Sequence, residues 1–591
     1  MIAKSRLKLL IWAGLVVLAA LAVAGTLLLL GRVVLHFNSG ADPASALNLI
    51  PALPADIDER LYWMADHPNV QEARQMELPT RQMELPTRQA ISDAYLRAWA
   101  QLGIAYELDQ PYGLKTYFSG QALEQVSRTL TETVAAGWQI NRTNLRHELE
   151  LYFYSDDGSI VAFTDHNSRL VQHIRRADSG LSQLIESADV WQVLMLLQDG
   201  NWRIIHLRRT GEAENASLPL AAARDPSTPF VRATGKELRR GDERFVIAGV
   251  NYYPQEAAWA EFWPNYSPAV TAHDLALAHQ LGLNTLRTFV PFVDPKGLSG
   301  PALTGAYGGD VTLDQILAGL HDFLDQAADA DVKVIVTLFD HRTDHHPANW
   351  PADDRYLAAL IPPFADHPAL LAWDLKNEAD TDAGFNTEER VDAWLLHVGR
   401  EVRRHDPNHL LTVGWFSADY AARSPVSSQL DFVSFHYFGT APDLPGAWQA
   451  LADALPDKPI LLGEFGMSTW NSLWPDGHTE GEQAAYYAGI LAGERRFRSA
   501  GYLAWTLHEY TNVTLPQYRL PWISAKQARL GVVRLDGTFK PAALLLTPGA
   551  DLTVAPIPGW RRFVKPFWLA LMAGGLAVVS IAILLWRRRK Q

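Results

Sequence analysis

The chain has 591 residues, enough for several domains, and its 48% hydrophobic and 20% charged content belongs to folded protein, not to extensive disorder. A net charge of −13 argues against a nucleic acid partner. There is no cysteine, which excludes disulfides, thiol catalysis and cysteine-based zinc sites, while 20 Trp and 19 Tyr suit either core packing or the stacking of flat sugar faces.

Residues 1–8 carry Lys4, Arg6 and Lys8 and lead into the uncharged run "LLIWAGLVVLAALAVAGTLLLLG", Leu9–Gly31. It exceeds the ~7–15 residue core of a cleavable signal, so a retained transmembrane helix is expected over 9–31. A second uncharged span, 567–586, is closed by "RRRK" in the tail 587–591. Basic clusters outside both spans predict cytoplasmic termini, a multi-pass place in the cell membrane, and an extracytoplasmic position for everything between. Arg561, Arg562 and Lys565 on the inner flank run against that rule.

The stretch 32–89 reads as linker and helix. It holds a tandem heptapeptide, "RQMELPTRQMELPT" over Arg74–Thr87, and two copies are too few for a solenoid. In 90–209, "AISDAYLRAWAQLGIAYEL" has helical spacing with Tyr95, Trp99 and Ile104 near one face. Alternating runs follow, "HELELYFYSDDGSIVAFTDH" and "DVWQVLMLLQDGNWRIIHLRR", with Asp-Gly turns at 157–158 and 199–200 that predict hairpins. A helix followed by a curved antiparallel sheet resembles the NTF2-like (SnoaL-type) cone, most clearly in the hairpin "WQVLMLLQDGNWRIIHL". That resemblance implies an enzyme or a binding or scaffolding module; Asp165 and His166 are its polar pocket candidates, with a plain turn as the simpler reading.

A small-residue and proline-rich linker occupies 210–226. From 227 to 547 apolar strand-like runs alternate with amphipathic helices: 245–253, 285–290, 333–339, 370–378, 410–415, 432–437, 460–466 and 502–507. Near-continuous apolar strands fit a parallel sheet buried on both faces, and eight strand–helix units predict a (β/α)8 TIM barrel. A doubly wound open sheet is the rival, but no glycine-rich phosphate loop follows any strand. Residues 548–566 read as linker to the final span. The expected fold class is therefore α/β: a TIM barrel preceded by a small α+β cone, with a transmembrane helix at each end.

In such a barrel the chemistry sits at the carboxyl ends of the strands. Those ends supply Tyr252, Tyr253, Arg287, His341, Asn377, Glu378, Trp415, His436, Tyr437, Glu464 and Trp505. Glu378 ends the fourth strand and Glu464 the seventh, so the two carboxylates can converge across the mouth. Two such carboxyl groups, one kept protonated and one ionised, can work together as an acid and a base.

The motifs "GVNYYP", "RTFVPF", "WDLKNE", "SFHYF" and "LLGEFG" span 230–545 in order, and together they resemble the cellulase-like glycoside hydrolases, closest to glycoside hydrolase family five. The resemblance implies a retaining glycosidase with Glu378 as acid/base, Glu464 as nucleophile and Asn377 on the sugar 2-hydroxyl. It further implies that Arg287, His436 and Tyr437 tune the nucleophile, that Trp505 floors the reactive sugar, and that His341 and Tyr253 contact substrate. The loop "FDHRTDHHPANW" admits a metal reading for His341–His346, but sugar binding is the expectation. No metal and no cofactor are expected. Trp259, Trp263, Trp350, Trp470 and Trp474 are core or subsite residues. The expected partners are a β-linked oligo- or polysaccharide, the membrane, and a protein for the cone. A β-glucan transglycosylase using the same site and a non-catalytic glycan-binding scaffold are the alternatives.

Overall fold

The computed structural model describes residues 60–76, 82–176, 181–212, 220–221, 229–295, 311–346, 349–470, 477–513, 520–554, 569, 572–577, 579–580 and 583. Among these, no helix is long and apolar enough to cross a membrane, which overturns the expected fold class with a spanning helix at each end. Two spanning helices as a membrane partner go with it. The physical reason lies in the helices themselves. Crossing takes about 20 consecutive apolar residues, whereas the longest described helix, Leu85–Glu107, interrupts its apolar positions with Arg88, Asp93 and Arg97. The span 9–31 lies outside the described residues, as does half of 567–586.

The first domain opens with β1 (Leu61–Trp63), α1 (Pro68–Gln75), α2 (Leu85–Glu107) and α3 (Gly120–Ala135). Four long strands follow: β2 (Trp138–Tyr154), β3 (Ile160–Arg176), β4 (Leu181–Gln198) and β5 (Asn201–Glu212). They pair antiparallel in order, and β1 adds to β2 in parallel. The duplicated heptapeptide is divided between two helices: Arg74 and Gln75 of its first copy end α1, and Leu85–Thr87 of its second open α2 with Pro86 in the first turn, where a missing N–H costs nothing. Between β4 and β5, Asp199 and Gly200 both have positive φ, 52° and 78°, as a tight hairpin turn of the right twist requires. Tyr95, Trp99 and Leu102 of α2 pack on Leu149, Leu151, Phe163 and Ile204 to form this domain's own core, and Ile104 is only half-buried.

The second domain begins with a small antiparallel sheet, β6 (Val231–Thr234), β7 (Glu237–Arg240) and β8 (Glu243–Phe245). Its Val231 and Leu238 cluster with the amino-terminal residues of barrel strands, among them Ile247, Ile335 and Leu410, so it closes the lower end of the barrel. The barrel elements then run β9 (Ile247–Asn251), α4 (Pro268–Gln280), β10 (Thr285–Pro291), α5 (Leu313–Asp329), β11 (Lys333–Asp340), α6 (Trp350–Leu360), β12 (Leu370–Asn377) and α7 (Glu388–His405). They continue through β13 (Leu410–Trp415), α8 (Ala418–Arg423), β14 (Val433–His436), α9 (Leu444–Ala454), β15 (Ile460–Glu464), α10 (Glu480–Glu494) and β16 (Gly501–Ala504). All eight strands pair in parallel with their sequence neighbours and β16 returns to β9, giving a closed barrel and excluding the open doubly wound sheet. Caps fix where the helices start: Thr312 with Gln315, and Thr479 with Glu482, form reciprocal capping boxes.

The two domains meet on α7. Arg175 pairs with Glu389 at 2.5 Å and Arg400 pairs with Glu186. Leu220, in the connecting segment, packs against Leu375 and Gly399, and its carbonyl accepts from Arg403 Nε at 2.9 Å.

Candidate active site

Barrel register brings the site together. Arg287 on β10 lies beside Asn251 on β9, Asn377 on β12 beside Gly414 on β13, and His436 on β14 beside Glu464 on β15. The ladders shift between Asp374 and Asn377 and between Phe435 and His436. Such irregularities at a barrel rim bend the strand and re-aim its side chains. At the end of β12, Glu378 adopts a left-handed conformation (φ 51°, ψ 46°) and its N–H donates to the Gly414 carbonyl at 2.6 Å. A non-glycine residue held there costs of order 1–3 kcal/mol. This turn takes the chain off the strand and leaves the carboxylate facing the mouth. His341, at the end of β11, is held the same way, with φ 61°.

Arg287 is the hub. Its Nη1 donates to Glu464 Oε1 at 2.7 Å and to Asn251 Oδ1 at 2.8 Å, and its Nη2 donates to Asn377 Oδ1 at 2.8 Å. Nε and Nη2 together clasp Asp374 Oδ2 at 2.9 and 2.6 Å. Thr337 donates to the same oxygen at 2.8 Å, and Asp374 Oδ1 takes the Gly414 N–H at 2.8 Å. A Cβ at position 414 would lie 2.6 Å from Arg287 Nη2, so only glycine lets the guanidinium approach this closely. His436 bridges the two glutamates, with Nδ1 2.9 Å from Glu378 Oε1 and Nε2 3.6 Å from Glu464 Oε1. One ligand atom from each of Glu378, His436 and Glu464 lies within 4.8 Å of the others. By distance the three could hold a cation, but the Arg287 guanidinium already supplies positive charge at Glu464.

Depth separates the two carboxylates: the Glu378 side chain is 27% exposed and that of Glu464 5%. Burial pushes Glu464 up to about 7, against the opposing charges of His436 and Arg287. Burial also pushes Glu378 upward, but the His436 hydrogen bond and the charges of His436 and Arg287 outweigh it and hold this carboxyl below its usual range. In the free site the elevated group is therefore the deeper one, the reverse of the division expected from the sequence. Arg287 supplies less than the loss of water removes.

The other expected residues are placed as follows. Tyr253 donates to Asp340 at 2.9 Å and stacks on Phe289, whose ring meets the edge of Trp505. Trp505 lies almost wholly in the core. His341 contacts Asp340 at 3.3 Å, and burial holds its imidazole below the usual value. Tyr437 is tied to Glu464 only through its main chain, its N–H donating to the Glu464 carbonyl at 2.8 Å, while its phenol donates to Thr440. In the histidine loop, His345 turns inward to Asp382 at 2.8 Å and stacks on Trp394 at 4.0 Å. Among the described residues, His341–His346 form no group whose ligand atoms converge as a metal site would need. Trp259, Trp263 and Trp350 are buried in the barrel core, Trp470 is partly buried, and Trp474 lies outside the described residues. Asn251 and Asp374 belong to the site and are missed by strand-end reading: Asp374 lies inside β12, and Asn251 ends β9, whose expected span runs on to Tyr253. Asp374 had a signal, an acid inside the apolar run "LLAWDLKN", because a buried carboxylate is rarely left without a cation.

Residues 243–511 match the Cellulase (glycosyl hydrolase family 5) family. That match takes in all eight barrel strands, β9 to β16. The chain is similar to mannan endo-1,4-beta-mannosidase 1 of Oryza sativa subsp. japonica, 26% identical over 357 residues, covering 47% of this chain and 78% of the relative. Mannan endo-1,4-beta-mannosidase 2 of the same plant is 27% identical over 377 residues, covering 49% and 80%. Among solved structures, an exo-beta-1,4-mannosidase from Opitutaceae bacterium strain TAV5 aligns at 22% identity and a TM-score of 0.41, over 52% of this chain and 59% of that one. The protein is thus a glycosidase, and the polar cluster at the mouth of its barrel is the candidate catalytic site.

Proposed function

We propose that this glycosidase cleaves internal β-1,4 linkages of a mannan-type glycan by double displacement with retention. Glu464 is the nucleophile and Glu378 the acid and base. The observation that carries the mechanism is the facing pair: carboxylate atoms within 4.8 Å of each other, with Arg287 on one and the partly exposed mouth on the other. A spacing near 5 Å leaves no room for a water between a carboxylate and the anomeric carbon, so the carboxylate itself attacks. The mannan assignment rests on what the rice relatives are named for.

Proton placement follows from burial. A sugar seated over Glu378 strips water from its exposed face, which favours the neutral acid there. Protonated Glu378 no longer repels Glu464, which then ionises against Arg287. Substrate binding in this way moves the shared proton from the deep carboxyl to the outer one, ready for the leaving oxygen. Residues 60–212, with helices laid on a long antiparallel sheet, support an NTF2-like reading of the first domain as a binding or scaffolding module.

A panel of β-mannan, β-glucan and cellulose, with product sizing, tests the substrate. Mannan cleaved to mixed oligosaccharides, with the β-anomer appearing first by NMR, is the expected result. Faster cleavage of glucan rejects the mannan assignment, and an α-anomer rejects the mechanism.

A further inference from the structure

Side chains alternate along a strand, so while Asn377 faces Arg287 inside the barrel, its neighbour Lys376 faces the other way. Lys376 is nevertheless buried. Its Nζ donates to the Asn377 carbonyl at 3.0 Å and lies 3.5 Å from Asp382 Oδ2. Asp382 sits in the short 3₁₀ turn Ala379–Gly384 that follows Glu378, and the same oxygen accepts from His345 Nε2 at 2.8 Å. Burial holds the His345 imidazole below its usual value although Asp382 opposes it, so a neutral ring makes this bond. Burial pushes Asp382 upward, but the Lys376 charge and the His345 hydrogen bond outweigh it and hold this carboxyl below its usual range.

These three buried side chains join two loops. Just past the turn, Asn386 accepts the His345 N–H at 3.2 Å and donates to the Thr343 carbonyl at 2.8 Å. The Asp382 carbonyl takes the N–H groups of Phe385 and Asn386, both at 2.9 Å. His345 is fixed in its turn by the helices behind it: its ring stacks on Trp394 of α7, and its carbonyl accepts from Trp350 Nε1 of α6 at 3.0 Å. On the opposite flank Asp380 accepts the N–H groups of Phe416 and Ser417 at 2.8 and 2.9 Å. The turn after Glu378 is thereby tied to the loop after β11 and to the loop after β13.

We propose that Lys376, Asp382 and His345 are positioning residues for the acid/base, a buried latch that sets the direction of the Glu378 carboxyl toward the leaving oxygen; this rests on the acid/base reading of Glu378. Glu378 is held in the left-handed region, and such a conformation persists only where its surroundings over-determine it. A buried ion pair adds little net stability compared with apolar packing of the same volume. What this pair fixes is where the turn lies relative to the end of β12. The latch also accounts for His345 in the histidine loop, which turns away from the mouth and binds neither metal nor sugar there.

Phenyl and dinitrophenyl β-mannobioside, or the cellobiosides if the parent prefers glucan, test the latch through kcat/KM, which reports the first chemical step. Phenol leaves only with a proton from Glu378; dinitrophenol leaves without one. Misplacing a reacting group by about 1 Å can cost ~10²-fold, so Asp382→Asn should lose at least about tenfold on the phenyl substrate and less than about threefold on the dinitrophenyl one. Azide, which needs no general base, should raise kcat of the variant on the dinitrophenyl substrate and leave that of the parent unchanged. Lys376→Met removes the contact to the Asn377 carbonyl and should show the same pattern; if Asp382→Asn does not fold, this variant decides alone. A merely structural role would lower both substrates equally. Equal falls in the latch variants, or no fall on the phenyl substrate, overturn the proposal when Glu378→Ala discriminates steeply between the two. Equal falls in Glu378→Ala itself overturn the acid/base reading, and the latch with it.

Discussion

At the barrel mouth Glu378, His436, Glu464 and Arg287 are linked by contacts of 2.7 to 3.6 Å. In the first domain His147, Asp165 and Tyr95 form a cluster of the same chemical kind, with His147 Nδ1 2.7 Å from Asp165 Oδ2 and Tyr95 donating to that oxygen at 2.9 Å. The difference lies in what each cluster does with its remaining capacity. Asp165 Oδ1 accepts the backbone N–H groups of Glu148 and Asn167 at 3.1 and 3.2 Å, where the β2–β3 and β3–β4 ladders shift register. A bulge frees backbone donors, and a buried carboxylate satisfies them. His147 and Asp165 are at most 1% exposed, and the Trp99 ring covers His147. His166, the neighbouring pocket candidate, faces outward to Glu150 at 2.9 Å. The cluster in the first domain holds a bent sheet; the one at the barrel mouth keeps one carboxylate open to whatever enters. Hydrogen-bond chemistry alone does not separate a catalytic cluster from a structural one. Exposure at a strand end does.

Mutating each cluster should break the comparison in opposite ways. The largest effect belongs to Glu464. Without a nucleophile, Glu464→Ala should lose turnover on every substrate, on the order of 10⁵–10⁶-fold, while its melting temperature stays near or above that of the parent. Glu378→Ala removes a proton donor and later base, a contribution of typically ~10²–10⁴-fold. On an aryl glycoside with an acidic leaving group its first step should survive, and added azide should yield the β-glycosyl azide. Equal collapse of both variants on that substrate, or an α-azide, would reject the roles assigned here.

The structural cluster should respond the other way. Asp165→Ala leaves His147, Tyr95 and two backbone donors without their acceptor, and each buried donor left unsatisfied costs about 1–3 kcal/mol. Thermal or urea unfolding of the first domain should show that loss, while kcat on mannan at a temperature where the variant is folded stays within about twofold of the parent. A large fall in kcat with the fold intact would mean that the first domain takes part in catalysis.

The same contrast explains what could be read from the sequence. The barrel was legible because a parallel strand buried on both faces writes itself as an apolar run, and because catalytic groups interrupt such runs at one end only. "LLAWDLKNE" and "LLGEFG" show both features. The β4–β5 hairpin was legible through Asp199-Gly200, since few other pairs tolerate two positive φ values in succession, whereas at 157–158 only Gly158 takes one. Asp374 was hidden because it acts inside a strand, through Arg287, where the pattern predicts core, and Asn251 because the expected strand runs on to Tyr253 although β9 ends at Asn251. The elevated Glu464 carboxyl was hidden because depth below the rim has no signature in residue order. The pair of spanning helices was inferred from hydropathy and flanking charge alone, and no described helix bears it out.

The smallest effect is on stability and tests why Glu464 is placed so deep. Its carboxyl, ordinarily near 4.5, is pushed up to about 7 in the folded protein, chiefly by burial. Between those two values the folded state holds a proton that the unfolded chain has released, so folding is favoured at the acidic end and loses stability as pH rises. Above about pH 7 the full cost of ionising the buried group is borne by the fold, on the order of 1–3 kcal/mol after the offset from Arg287. Glu464→Gln removes the titration and keeps the size and the acceptor for Arg287. Melting curves should coincide for parent and variant near pH 4.5, separate as pH rises, and reach a constant gap above about pH 7, with the variant the more stable. A gap that opens toward acid would mean that Arg287 holds Glu464 ionised in the free protein, and that the shared proton already sits on Glu378 before substrate arrives.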